Sequence, residues 1–65
     1  MKFIKQKDFY YHSRYIREDG KFVITSINQR KNGRYKRVYE VTDHYGYVID
    51  TMELLEDAMI KYGLI

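Results

Sequence analysis

The 65-residue chain contains no Cys, no Trp and no Pro, only four Gly, and no long apolar run. Without Cys, neither a disulfide nor a thiolate metal site is there to staple a small fold. No stretch approaches the roughly 18 apolar residues of a membrane-spanning helix. The opening "MKFIKQKDFYY" lacks the apolar core of a signal peptide, so the expected location is cytoplasmic and no membrane partner is expected. With Trp missing, the aromatic mass is eight Tyr and three Phe. Tyr sits half in a core and half in water, which lets a small sheet gain apolar area without greasy patches.

Catalytic signatures are missing as well. There is no Gly-rich phosphate loop, no Cys nucleophile and no Ser-His-Asp order. His12 and His44 are the only imidazoles, and a metal site would have to combine both with carboxylates. His44 sits beside Asp43 in "TDHYGY", where Asp and His serve turn geometry. Glu53, Glu56 and Asp57 invite a reading as paired carboxylates, but acids in the first turns of a helix compensate its dipole. One sheet and one helix also lack the depth to desolvate a catalytic pair. The expectation is a non-enzymatic protein with no cofactor and no metal.

A chain this short forms one small domain over residues 1–65 and buries only about 60% of its unfolded surface. Two turn signals organise it. Asp19-Gly20 and Asn32-Gly33 each separate runs rich in β-branched and aromatic residues, the pattern of two-residue hairpins. A third turn in "TDHYGY" leads into "YVI", and residues 2–7 read as an added edge strand, with Phe3, Ile4, Phe9 and Tyr11 apolar enough to be ordered. Its lysines Lys2, Lys5 and Lys7 suit an outer strand that must not pair with strangers.

The end of the chain reads as a helix over about 51–62. Asp50 serves as N-cap with Glu53 at N3, Ile49 and Leu54 form a hydrophobic staple, and Gly63 follows as C′. Met52, Leu55, Ala58, Met59 and Tyr62 fall on one helical stripe. The predicted fold is therefore α+β: an antiparallel three- to four-stranded meander with one C-terminal helix packed on one face.

Two-residue turns fix the pairing. Arg30 faces Tyr35, Asn28 faces Arg37, Ser26 faces Tyr39, and Ile24 faces both Val41 and Tyr15. One face then holds Tyr15, Phe22, Ile24, Tyr35, Tyr39 and Val41, and the helix is expected there. The other carries an apolar strip of Ile16, Val23, Ile27 and Val38, left open for a partner such as a second copy of the chain.

The segment "QRKNGRYKR" packs five cations into nine residues around the second turn. Arg30, Lys31, Arg34, Lys36 and Arg37 are candidate phosphate contacts, Asn28 and Gln29 candidate base-edge contacts, and Tyr35 a stacking candidate. A two-stranded ribbon fits a major groove. The plain alternative is a solvated hairpin tip, and Lys31 opposite Arg34 is a like-charged pair that opposes folding. The net charge of +3 is mild, so its distribution matters more than its sum.

The expected function is binding of nucleic acid through the basic hairpin and sheet face, in a small protein of phage or mobile-element type. The Lys, Ile, Tyr and Phe content suits an AT-rich genome. The competing expectation is an inhibitor or adaptor of a host protein, in the size and style of anti-CRISPR and other phage anti-defence proteins. Ile60, apolar on an acidic helix face, and Tyr35 with its neighbours Arg34 and Arg37 are the expected contact residues for that reading.

Overall fold

The computed structural model describes residues 1–7 and 13–65. Five strands and one helix follow one another along the chain. They are β1 (Phe3–Lys7), β2 (Ser13–Arg17), β3 (Phe22–Lys31), β4 (Arg34–Asp43), β5 (Val48–Met52) and α1 (Leu55–Leu64). The strands form one sheet in the order β1-β2-β3-β4-β5, every neighbour antiparallel. The expected N-terminal edge strand is present as β1. Phe9, Tyr11 and His12 lie outside the described residues.

The Asn32-Gly33 turn carries the backbone it requires, whereas the first turn closes one residue early: the Gly20 N–H donates to the Arg17 carbonyl oxygen at 2.7 Å, so Glu18 and Asp19 are its central residues and Gly20 follows with positive φ. Gly20 has φ +76°, Gly33 has φ +76°, and Asn32 is the one non-glycine residue with positive φ among those described (φ 54°). Asn tolerates that region through its short polar side chain, so Asn32-Gly33 closes a tight two-residue loop. The register follows: Lys31 faces Arg34, Arg30 faces Tyr35, Asn28 faces Arg37, Ile24 faces Val41, and Tyr15 faces Ile24.

The sheet has five strands rather than three or four, and the helix begins later than expected. Asp50 is not its N-cap. Residues 48–52 are strand, because β-branched Val48, Ile49 and Thr51 suit a pleated edge and the segment pairs with β4. Period two then points Asp50 and Met52 inward. The Asp50 carboxylate accepts from the Tyr62 hydroxyl at 2.6 Å and from Lys61 Nζ at 2.9 Å. This tertiary partner replaces the capping role that its local pattern offered. The proposed staple also fails, since Ile49 lies in β5 and Leu54, exposed, occupies the N-cap position with no side-chain cap. Gly63 lies inside α1 without a positive φ. A Cβ there would stand 3.0 Å from the Met1 carbonyl oxygen, so its role is close approach of chain to helix.

The helical stripe lands on the expected sheet face. Ile24, Val41 and Ala58 are fully buried and Tyr62 nearly so, with Phe3, Tyr15, Phe22, Tyr39, Met52, Leu55 and Met59 packed around them. Met52 reaches this core from β5 rather than from the helix. Tyr35 does not join it: at 73% exposure it lies beyond the helix's reach. On the opposite face the apolar strip is less open than expected, with Val38 buried and Ile16, Val23 and Ile27 half-buried.

One buried charge ties the helix to the sheet. Arg17, 3% exposed, donates through Nη1 to the Tyr62 carbonyl oxygen at 2.8 Å. Its Nε and Nη2 grip the two Asp19 oxygens at 2.7 and 2.5 Å. The guanidinium also lies 4.7 Å from the Phe22 ring centroid, and Phe22 in turn packs on Tyr62 at 5.2 Å. Arg17 thus closes the helix C-terminus together with the Met1 ammonium, which donates to the Gly63 carbonyl oxygen at 2.6 Å, and both cations meet the negative end of the dipole.

Arg17→Met keeps the aliphatic volume but strands Asp19 and the Tyr62 carbonyl. We expect the melting midpoint to fall by at least about 5 °C, read by circular dichroism; an unchanged midpoint would show that the clamp is dispensable. The hydrogen bonds from Arg17 hold the Asp19 carboxyl far below the usual range, and the Tyr62 hydroxyl and Lys61 lower Asp50. Carboxylates depressed in the folded state stabilise it above their unfolded pKa of about 4, and that contribution is lost as the pH falls through the folded values. The midpoint should therefore hold from about pH 7 to 5 and drop below about pH 4. In D19N/D50N, less stable at neutral pH, the acid limb should be flatter.

Candidate nucleic-acid interface

β3 and β4 outrun their neighbours. The pairing of β2 with β3 ends at Arg14 and Thr25, and that of β5 with β4 ends at Tyr39 and Met52. The two long strands continue paired to Lys31 and Arg34. Among the described residues, this outer stretch is a two-stranded ribbon with no strand on either edge. Every residue from Asn28 to Arg37 is exposed.

All the basic and amide residues expected to bind lie on this ribbon, divided between its faces by the alternation of the strands. Asn28, Arg30, Tyr35 and Arg37 share the face that continues the helix side. Gln29, Lys31, Arg34 and Lys36 share the other. Lys31, Asn32, Arg34, Tyr35 and Lys36 line a single shallow depression at the tip.

The ribbon concentrates the molecule's positive charge. Its five cations stand with no acid among residues 28–37, whereas the rest of the chain has seven Lys and Arg against nine Asp and Glu. The mild total of +3 is thus +5 on the ribbon and −2 elsewhere. A protrusion of this sign exerts a directed field that a uniform +3 would not.

One acid reaches back to it. Glu53, in the short connection between β5 and α1, accepts a hydrogen bond from Lys36 Nζ. Lys36 holds the Glu53 carboxyl below its ordinary value, with a smaller contribution from the Lys31 charge. Both partners are more than half exposed, so the pair adds little to stability. Sequence reasoning put Glu53 on the helix's acidic face; the later helix start moves it to the ribbon.

Ile60 stands apart from the ribbon, on α1, and is 55% exposed. Its neighbours include the first-turn acids Glu56 and Asp57 but not Glu53. Leu64, one turn further, is still more exposed. A second exposed aromatic feature, which sequence reasoning left aside, lies at the far end of β4. There the Asp43 carboxylate accepts from the backbone N–H groups of Tyr45 and Tyr47, both at 3.0 Å, and both rings face solvent. His44 belongs to this turn, its ring 3.9 Å from that of Tyr45.

No family model matches the chain, and no curated protein or solved structure matches it either. Among the described residues, no helix is long and apolar enough to cross a membrane.

A ribbon without flanking strands is held only by its own ladder and its root. Backbone amides from residues 28 to 37 should therefore exchange with deuterium faster than those of 22–26 and 39–43. Uniform protection along β3, measured by hydrogen-exchange NMR, would contradict a free ribbon.

Proposed function

We propose that this is a non-enzymatic binding protein that engages nucleic acid through the β3–β4 ribbon. The supporting observation is the segregation of charge: five cations on a ribbon that adds nothing to the core, with a net negative body behind it. A solvated tip needs no such concentration. Lys31 and Arg34, directly opposed, oppose folding by a few tenths of a kcal/mol, which selection for stability alone would remove. Arg30, Lys36 and Arg37 contact phosphates, Lys31 and Arg34 bring two more cations to the tip, Asn28 and Gln29 add hydrogen bonds, and Tyr35 adds a planar surface. Glu53 competes with phosphate for Lys36.

The decisive measurement is a salt titration of binding to a mixed-sequence DNA by fluorescence anisotropy. Replacing Lys31 and Arg34 with Gln should weaken binding and make its salt slope shallower, since two cations leave the interface. The folded state should be unharmed or slightly more stable. Affinity that stays the same would overturn the proposal. Glu53→Gln acts in the opposite direction, freeing Lys36 and raising affinity a few-fold at low salt.

A host-protein inhibitor or adaptor is the second reading, carried by the exposed pair Ile60 and Leu64 on a helix whose other face is buried. Truncating Ile60 to Ala removes little burial from the fold but should cost a protein complex more than about 1 kcal/mol. A pull-down that survives nuclease and is lost with I60A would favour that reading over the ribbon.

A further inference from the structure

We infer that the ribbon enters the major groove of B-form duplex DNA tip-first, with Arg34 and Lys31 reading guanine edges while Arg30, Lys36 and Arg37 grip the phosphate walls. This rests on the nucleic-acid reading above and assigns it a ligand class and a division of roles.

Dimensions select the groove. Two strands lie about 4.8 Å apart, and a sheet with side chains on both faces is about 10 Å thick. The B-DNA major groove is about 12 Å wide, whereas the minor groove is about 6 Å. The major groove of A-form RNA is too deep and narrow for such a blade. A single strand is held by a charged channel with a series of stacking rings. The ribbon offers one ring, Tyr35, and no channel.

Charge placement selects the orientation. A ribbon lying flat on the groove floor would carry its cations on one face. Here they occupy both: Arg30 and Arg37 on one, Lys31, Arg34 and Lys36 on the other. A blade flanked by two rows of phosphate needs this two-sided arrangement. The body behind the root is net negative and stays outside the groove.

Depth then assigns the roles. At roughly 3.3 Å per residue, Asn28 and Arg37 lie about 13 Å behind the tip, and the groove is only about 8.5 Å deep. The residues at the root, Asn28 and Gln29 with their partners Arg37 and Lys36, therefore stop at the level of the phosphates. This reverses the expectation that the amides read bases. Lys31 and Arg34, the last pair before the turn, reach the floor. The planar fork of Arg34 matches guanine O6 and N7 in a bidentate contact, and Lys supplies the same acceptors with a point charge.

The test compares anisotropy titrations of the whole chain on five probes: a G·C-rich DNA duplex, the same duplex with 7-deazaguanine, an A·T duplex, the corresponding RNA duplex and a DNA single strand. The modified base keeps Watson–Crick pairing and loses only the N7 acceptor. We expect the G·C-rich DNA duplex to bind most tightly, with a loss of about tenfold on 7-deazaguanine. Arg34→Lys, which keeps the charge but loses the fork, should erase most of that discrimination, whereas Arg37→Lys should leave it intact. Because the key change is made in the DNA, it is insensitive to any effect on folding. Duplex binding with the expected salt slope but no response to 7-deazaguanine would overturn the guanine assignment and leave the binding function standing. RNA or single strands bound as tightly as duplex DNA would overturn the groove assignment. Absence of binding to every probe would sink the proposed function itself.

Discussion

The fold depends on a single buried guanidinium. A ten-residue helix with no side-chain N-cap is marginal in water and owes its existence to packing and to its ends. Arg17 supplies the C-terminal end together with the Met1 ammonium. Its Nε and Nη2 donate to Asp19 and its Nη1 to the Tyr62 carbonyl, so a charge removed from water is matched by a carboxylate and a backbone acceptor. Burial of a charge is tolerable on those terms. The arrangement also links two pieces of chemistry. Asp19 is at once the second central residue of the β2–β3 turn, accepting from Lys21 N at 3.1 Å, and the counterion of the helix clamp. Closing that hairpin therefore builds the socket that receives the helix.

A small core of Ile24, Val41, Ala58 and Tyr62 leaves little stability in reserve, and the distribution of charge respects this. Ion pairs on the body serve the helix: Lys61 and Tyr62 meet on Asp50, and Arg17 meets Asp19. The cations placed where they repel are those of the ribbon, where no core residue is at stake. Val38 and Ser26, the last buried residues before the ribbon, mark the boundary. Electrostatic strain beyond it weakens the tip without loosening the helix, and among the described residues only the Lys36–Glu53 pair crosses between the two.

Much of this was legible in the residues, and the exceptions have a common cause. Asn32-Gly33 and Asp19-Gly20 are local chemistry, so the register could be written down from them, and with it the face on which Ile24 and Val41 lie, although the first turn closes on Glu18 and Asp19. The helix start was misplaced because Asp50, Glu53 and Leu54 make a good capping pattern in isolation. What overrides it is tertiary: the hydroxyl of Tyr62 and the ammonium of Lys61 reach Asp50 from the far end of the helix, and β4 supplies the ladder that holds residues 48–52 extended. Arg17 was likewise invisible as a clamp, since nothing in its neighbours announces the Tyr62 carbonyl. For the candidate site, the cation cluster and its turn were readable, but not that among the described residues the flanking pairs end at Thr25 and Tyr39. That depends on the lengths of β2 and β5, which pairing sets.

The core also decides the site. Along β3 and β4 a slip of one residue would turn Ile24 and Val41 outward and bring Thr25 and Glu40 into contact with Ala58 and Tyr62, replacing apolar burial with unpaired polar groups. That penalty is far larger than any preference the ribbon has for itself, so the register at the tip is inherited from the root. Inheritance of register is what puts Lys31 across from Arg34, keeps Lys36 on their face within reach of Glu53, and sends Arg30 and Arg37 to the other side. The two-sided display of charge is thus held in place by side chains that lie beyond the reach of a ligand at the tip. Substitutions at Ile24 or Val41 act on the ribbon through pairing, and the ribbon's own residues are free to vary without cost to the helix.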